Sequence, residues 1–344
     1  MNYITINGRH MSYITINGRH IGSGSPVYIV AELSSNHMQN IEWAKKTIHA
    51  AKEAGADAIK LQTYTPDTIT IDSNRVMYNL YKEAFTPWEW HQELFDYAHN
   101  IGMTIFSTAY DETSADFLNE LDVPAFKISS FELIDIPLIQ YIAKLRKPIL
   151  LSTGMGTIGE VASAVSEIVL EECPLALLNC VSAYPAPIDE TNICAIRTLE
   201  STFNVPVGLS DHSLSIIAPV MAVAAGASII EKHIMLEGTT GPDTGFSLTP
   251  SKFSAMVNAV REAESALGDG ELGCQPHEKA NLQYRKSLYV VKDIKKGEKL
   301  TPENIRSIRP SYGLDPGRYD YVIGRHAKRD LEKGEPLKQE DIRR

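Results

Sequence analysis

The chain is poor in the features that mark secreted, membrane-bound or nucleic-acid-binding proteins. It has only four cysteines in 344 residues, Cys173, Cys180, Cys194 and Cys274. None shows the close pairing of a zinc or dithiol site, so all are read as reduced thiols without chemistry. No apolar run approaches the roughly twenty residues that span a bilayer, and no secretory h-region follows the first methionine. Both absences predict a soluble, cytoplasmic protein. Positive charge is also scarce, with 33 Lys and Arg against 43 Asp and Glu and a formal net charge of −10. That balance repels nucleic-acid phosphates and anionic lipid, so neither is an expected partner. An anionic ligand would have to be met by a local cluster of cations. Low-complexity tracts are missing too, as is a Gly-rich dinucleotide turn after the first predicted strand, which counts against a doubly wound nucleotide-binding sheet.

What is present is a rhythm of short apolar run, loop and amphipathic helix. The runs Val27–Glu32, Asp57–Gln62, Met103–Thr108, Ala125–Ser129, Pro148–Ser152, Leu175–Cys180, Val205–Leu209 and Ser228–His233 read as strands. They are continuous rather than alternating, as parallel strands covered on both faces must be. Between them lie predicted helices over Ile41–Ala54, Pro87–Ile101, Asp111–Leu121, Pro137–Leu145, Thr157–Leu170, Thr191–Phe203 and Leu214–Gly226, with a last one over Pro250–Leu267. Eight such units in about 240 residues predict an α/β fold of the TIM (β/α)8 barrel type. Before it, Tyr3–His10 recurs as Tyr13–His20, each copy a strand with an Asn-Gly turn. The repeat is read either as a plug for the barrel bottom or as a duplicated start without chemistry. After it, the stretch from Gly268 to Pro276 breaks the helical pattern. Beyond that, Asp293–Glu298 and Asp330–Glu335 are near repeats around Lys-Gly-Glu turns, predicting a small pseudo-symmetric domain. The expected boundaries are 1–26, 27–268, a linker at 269–285, and 286–344.

In such a barrel, polar residues at the carboxyl ends of strands face the mouth and read as functional. Nearly every predicted strand here ends in one: Glu32, then Lys60 and Gln62, Ser107 and Thr108, Lys127 with Ser129, Ser130 and Glu132, Ser152, Ser182 with Tyr184, Ser210 with His212, and Glu231 with His233. Each alone has a plain explanation, since a lysine can snorkel and a serine can cap the following helix. Their shared placement is what argues for a site. Lysines with hydroxyls and helix-start amides suit a phosphorylated anion. Two histidines at the ends of adjacent strands suit a metal ion with open positions.

The segments Ala31–His37, Ile59–Thr63, Lys127–Glu132, Leu151–Met155, Gly208–His212 and Glu231–His233 resemble the sialic acid synthases, and Ser307–Leu314 resembles their C-terminal antifreeze-like (SAF) domain. Within that family, Thr63–Asp67, Thr86–His91, Ser182–Pro187 and Ser287–Asp293 are most similar to the branch that makes pseudaminic acid. The resemblance implies condensation of phosphoenolpyruvate with an open-chain N-acetylated amino sugar, here 2,4-diacetamido-2,4,6-trideoxy-L-altrose, with release of phosphate. It implies that His212 and His233 hold a divalent ion, Mn2+ or Mg2+, that polarises the aldehyde. It assigns Lys60 and Thr108 to the carboxylate, and Lys127, Ser130, Ser152, Ser182 and Ser210 to the phosphate. Glu32 would manage the attacking water, and Gln62, Glu132, Tyr184 and Asp243 would contact the sugar. Arg309 would come from the SAF domain of a second subunit in a domain-swapped homodimer. The loop Thr65–Ala84 matches poorly, and Asn74 is its one candidate contact. The same chemistry on neuraminic or legionaminic precursors is the near alternative. A Schiff-base aldolase using Lys60 or Lys127, and a carbohydrate-binding protein without activity, are the more distant ones.

Overall fold

The structure, a computed structural model, describes residues 2–6 and 9–343. It falls into two compact units, Met1–Gly268 and Asp269–Arg344. The first opens with an antiparallel sheet of β1 (Asn2–Ile6), β2 (Arg9–Ile16) and β3 (Arg19–Gly22). The first Asn-Gly pair of the repeat, at positions 7 and 8, lies outside the described residues. In the second, Asn17 and Gly18 sit at φ 46° and 75°, the doubly left-handed geometry of a two-residue hairpin turn.

Eight parallel strands then close a barrel: β4 (Tyr28–Glu32), β5 (Ala58–Thr63), β6 (Thr104–Ala109), β7 (Phe126–Ile128), β8 (Ile149–Ser152), β9 (Leu175–Cys180), β10 (Val207–Asp211) and β11 (Ile229–His233). Each pairs with its sequence neighbours, and β11 pairs with β4 to close the ring. The TIM-barrel expectation therefore holds. The helices are α1 (Ile41–Glu53), α2 (Pro66–Ile69), α3 (Arg75–Ala84), α4 (His91–Asn100), α5 (Glu112–Glu120), α6 (Ile136–Lys144), α7 (Ile158–Leu170), α8 (Ala195–Phe203), α9 (Ile217–Ala224) and α10 (Pro250–Leu267). Local chemistry sets their ends. Asn40 caps α1 by accepting from Glu42 N and Trp43 N, and Thr157 with Glu160 forms a reciprocal capping box on α7. Among the described residues no helix is long and apolar enough to cross a membrane.

Two expectations need correcting. Strand β10 runs two residues past Leu209, because Ser210 and Asp211 continue the ladder against Glu231 and Lys232. The stretch between β5 and α4, expected to be a loop, contains α2 and α3. Proline in the first turn favours α2, and the Asn74 side chain accepts from Met77 N to start α3. Asn74 is thus occupied as a helix cap and does not line the barrel cavity.

Side chains along a strand alternate, so each barrel strand sends every second residue inward. At the amino ends these are apolar: Tyr28, Val30, Ala58, Phe106, Ala125, Leu150, Ala176, Leu178 and Ile229 pack as one inner cluster. Ile14, Ile16 and Ile21 of the second repeat copy and its continuation join that cluster, so the hairpin plugs the barrel bottom. Gly208 has no room for a side chain there, since a Cβ would lie 2.6 Å from that of Ile229 and 2.7 Å from Leu178 Cδ2. The outward residues, such as Ile29, Ile59, Ile105 and Ile230, pack instead against the helical ring.

The second unit is built around Leu288, Val290, Ile294, Leu300, Ile305, Val322, Ala327, Leu331, Leu337 and Ile342. Strand β12 (Ser287–Val290) pairs with β13 (Ile305–Ile308), and β14 (His326–Ala327) with β15 (Ile342–Arg343). Its near repeats face each other reciprocally. Lys296 N donates to Asp330 Oδ1 at 2.7 Å, and Lys333 N donates to Asp293 Oδ1 at 2.8 Å. Ile294 and Leu331 bridge between them.

Removing buried volume from the plug has a measurable cost. Ile16→Ala is expected to lower the stability of the barrel by about 2–5 kcal/mol in denaturant unfolding. An unchanged midpoint and slope would show that the hairpin does not share the barrel core.

Candidate active site

The same alternation that fills the barrel bottom with apolar groups carries polar ones at the carboxyl ends. Two residues beyond Val30 comes Glu32, beyond Ala58 Lys60, beyond Ala125 Lys127, beyond Leu150 Ser152, beyond Leu178 Cys180, and beyond Ile229 Glu231. Strand register then decides which of them meet. Glu32 lies beside Lys60, Gln62 beside Thr108, Thr108 beside Lys127, Ser210 beside Glu231, and His233 beside Glu32.

These groups surround a cavity of about 530 Å3. Lys60, Gln62, Thr108, Lys127, Ser130, Glu132, Ser152, Tyr184, Ser210, His212, His233 and Asp243 all line it. Glu32 lies fully buried just beneath, with its Oε2 2.7 Å from Lys60 Nζ. Ser182 is not on the wall, but its hydroxyl meets Cys180 Sγ at 3.8 Å, and it crowds Gly154 together with Ser130. Glycine is required at 154 because a Cβ would come within 2.7 Å of the Ser130 hydroxyl, which accepts from Gly154 N at 3.0 Å. Arg309 belongs to the second unit, where it is exposed and shares a shallow concavity with Arg285, Lys286 and Ser311.

Two lysines and two glutamates buried in one layer require mutual compensation. Lys60 Nζ bridges Glu32 at 2.7 Å and Glu231 at 3.8 Å, and donates to Thr108 Oγ1 at 2.9 Å. Burial opposes its charge, yet the two carboxylates hold its pKa above the usual lysine value. It is an ammonium and not the free amine a Schiff-base aldolase needs. Lys127 Nζ donates to Ser152 Oγ at 2.7 Å and to Ile128 O at 2.9 Å, and burial lowers its pKa. The two carboxyls are driven apart. Burial raises Glu32 to about 7, against the pull of Lys60. Glu231 is buried equally but is held below the usual range by Lys60, Lys127 and the Ser210 hydroxyl, which donates to it at 3.0 Å. A carboxyl near 7 can give and take a proton at neutral pH, whereas its neighbour remains an anion.

His212 and His233 face each other with ring centroids 5.3 Å apart. His212 Nδ1 donates to Val181 O at 3.0 Å, so Nε2 is the ring nitrogen left for a ligand. Burial opposes the ring's charge, but its contacts with Cys180 and Val181 O hold its pKa above the usual value. His233 Nδ1 is buried without a partner, and burial together with the neighbouring His212 and Lys60 pushes its pKa well below the usual value. The buried Lys232 pins both residues' strands by donating to Asp211 Oδ2 at 2.5 Å and to the Ser213 carbonyl. Two imidazoles with free ring nitrogens fit a divalent ion as donors. Among the described residues no group of three or more His, Cys, Asp or Glu side chains is placed to hold a metal, so water and substrate would supply the other positions.

Toward the mouth, Asp243 Oδ2 accepts from Ser35 N at 3.1 Å and from the Ser34 and Ser35 hydroxyls, tying the loops after β4 and β11 together. Glu132 accepts from Ser129, and burial raises its pKa. Glu231, the first residue of the Glu231–His233 segment, anchors Lys60 and Ser210. Cys180, read as an ordinary thiol, lies 3.7 Å from His212 Nδ1 and was open to inward–outward counting from Leu178. Ile69, Met77, Leu80 and Tyr81 come from α2 and α3 and were hidden in the unassigned loop.

Known proteins match this architecture. The NeuB family model covers residues 47–272, and the SAF domain model covers residues 285–343. The chain belongs to the NeuB family. It is 47% identical over 333 residues to the pseudaminic acid synthase of Campylobacter jejuni subsp. jejuni serotype O:23/36 (strain 81-176), covering 92% of this chain and 97% of that protein. To the pseudaminic acid synthase of Helicobacter pylori (strain ATCC 700392 / 26695) it is 40% identical, covering 93% of this chain and 98% of that one. Among solved NeuB-like structures, the N-acetylneuraminic acid synthetase from Leptospira borgpetersenii serovar Hardjo-bovis, in complex with citrate, superposes with a TM-score of 0.76 at 33% identity, covering 80% of this chain and 96% of that chain.

The carboxyl assignment is testable without any substrate. Glu32 is expected to titrate near pH 7 in a carboxyl-resolved NMR or infrared titration, with Glu231 below the ordinary range. Lys60→Met removes the cation that lowers it, so Glu32 should shift further upward. A raised folded-state pKa stabilises the fold below the unfolded value of about 4.3. That contribution is lost as pH rises through about 7. A Glu32 that titrates in the ordinary range in the native protein would contradict the reading.

Proposed function

We propose that the chain is a pseudaminic acid synthase in its activity: it joins phosphoenolpyruvate to open-chain 2,4-diacetamido-2,4,6-trideoxy-L-altrose with water, giving pseudaminic acid and phosphate. One observation carries this reading. A buried cation pair with hydroxyls, a facing histidine pair and a carboxyl poised near neutrality converge on one cavity, in a chain whose relatives at 40–47% identity are pseudaminic acid synthases.

In this reading the phosphoenolpyruvate carboxylate sits against Lys60 and Thr108. Its phosphate sits among Lys127, Ser130, Ser152, Ser182 and Ser210, with charge-assisted bonds in a site poor in water. Gln62, Glu132, Tyr184 and Asp243 orient the sugar so that its aldehyde carbon meets the methylene carbon of phosphoenolpyruvate. A divalent ion, Mn2+ or Mg2+, held by His212 and His233, would supply Lewis-acid polarisation of the aldehyde oxygen. As the new carbon–carbon bond forms, positive charge develops on the adjacent phosphate-bearing carbon. In this reading Glu32 takes one proton of the water that adds there and returns it to the former aldehyde oxygen, which becomes a hydroxyl. The other proton leaves with phosphate as the carbon–oxygen bond breaks, giving the keto acid. Glu231 remains an anion beneath that carbon, matching the transient charge. Arg309, exposed on the small second unit, is proposed to complete the cavity of a second copy in a domain-swapped homodimer. The assembly is proposed to work in the cytoplasm.

Phosphate release on mixing the two substrates tests the reaction, and EDTA should abolish it. His212→Ala and His233→Ala should each lose turnover while keeping the barrel's melting transition. Full activity of either variant in metal-free buffer would refute the metal assignment. Lys127→Met should weaken phosphoenolpyruvate binding about tenfold or more, read as a dissociation constant. Mixing Arg309→Ala with His233→Ala chains should restore partial activity, because one cavity of each mixed dimer is intact. Proven subunit exchange without recovery would overturn the shared site.

A further inference from the structure

Behind the histidine pair lies an ion pair that the proposed chemistry does not use. Asp211 and Lys232 are register partners on the adjacent parallel strands β10 and β11, directly before His212 and His233. Side chains alternate along a strand, so the histidines line the cavity while this pair occupies the other face of the same two strands. Lys232 is 0% and Asp211 2% exposed, and their charges meet at 2.5 Å. The pair also holds the backbone beyond β10. Asp211 Oδ1 accepts from Ser213 N at 2.9 Å. Lys232 Nζ donates to the Ser213 carbonyl and, at 3.5 Å, to Ser215 O. His212 is therefore clasped between residues 211 and 213, both bound to one buried ion pair. A well-packed apolar pair often fills such a space without loss of stability, so what the charges add is direction.

The two rings depend on that direction to different extents. His212 Nδ1 is fixed by Val181 O at 3.0 Å. His233 Nδ1 has no partner, and its ring packs edge-on against Phe246 at 4.7 Å. No hydrogen bond at that nitrogen orients the His233 ring, so its backbone, anchored by Lys232 just before it, sets where it stands. We infer that Asp211 and Lys232 are positioning residues for the metal-binding histidines. The buried pair fixes the carboxyl ends of β10 and β11 relative to each other, and so holds His212 and His233 at the separation one divalent ion requires. The inference rests on the reading of those histidines as a metal site. Each ring nitrogen must reach a shared ion at about 2 Å, which leaves little tolerance in the strand spacing.

Mn2+ binding to the full-length, substrate-free protein tests this, read from the electron paramagnetic resonance signal of the free ion. Removing one charge alone would leave the other buried and unpaired. The main variant is therefore Asp211→Asn with Lys232→Met, in which no charge remains and the asparagine oxygen can still accept from Ser213 N. It should keep a cooperative melting transition yet weaken Mn2+ binding about tenfold or more, the loss that outer partners of metal ligands cause. Asp211→Glu keeps both charges but lengthens the link by one methylene, and it too should weaken binding. Arg261→Met is the control, because it takes a cation from Asp57 at the amino end of the barrel, and its dissociation constant should be unchanged. A folded double variant that binds Mn2+ as tightly as the unaltered protein overturns the inference. An equal loss in Arg261→Met does so as well, since the effect would then be one of general stability. If the double variant loses its melting transition, Asp211→Glu decides, and unchanged affinity there overturns the inference. If the unaltered protein binds Mn2+ no better than His233→Ala, it is the metal assignment that fails, and the inference falls with it.

Discussion

The interior of this barrel has to hold two lysines and two glutamates in one layer, each at most 4% exposed, and most of the site follows from that constraint. Buried charges persist only when paired and hydrogen-bonded. Lys60 satisfies the requirement by reaching Glu32, Glu231 and Thr108 together. The arrangement leaves the two carboxyls unequal. Both keep a buried oxygen without a hydrogen-bond partner, but Glu231 feels Lys127 more strongly than Glu32 does and also accepts from the Ser210 hydroxyl. The same burial therefore yields one anion and one proton-exchanging group beside a histidine pair, with His233 the register neighbour of Glu32.

Closed on one side and open on the other, the barrel separates stability from chemistry. The amino-end half of its interior is apolar and sealed by Ile14, Ile16 and Ile21, so polar groups at the opposite end can be spent on binding without hollowing the core. Pins outside the barrel hold these groups in place. Lys232 points away from the cavity, yet it links Asp211 and the Ser213 carbonyl and so braces the backbone on either side of His212. The hydroxyls and backbone amide that Asp243 collects do the same for the loops at the rim. The second unit obeys a different economy. Its two Lys-Gly-Glu turns exchange backbone bonds with each other's aspartates, giving a small core a symmetric brace.

Much of this was legible in the chain because it follows from short-range rules. Continuous apolar runs spaced by amphipathic segments determined a parallel barrel, and strand-end polar residues marked its mouth. The histidines at 212 and 233 were placed on adjacent parallel strands by the length of the helix between them, and they lie there. What only the tertiary structure decided is which neighbours share a field and which loops close over them. Register alone puts Glu32 beside Lys60, and burial alone moves its proton toward neutrality; neither can be read from a motif. Cys180 carried no pattern of its own, because its importance comes from His212, 32 positions away in sequence. The segment between β5 and α4 looked like a loop because α2 is only four residues long and α3 buries none of its own residues. A short helix is stable only when something else holds it, and that something is a tyrosine on β5's extension and a glutamine after β4, contacts that exist only once the barrel has closed.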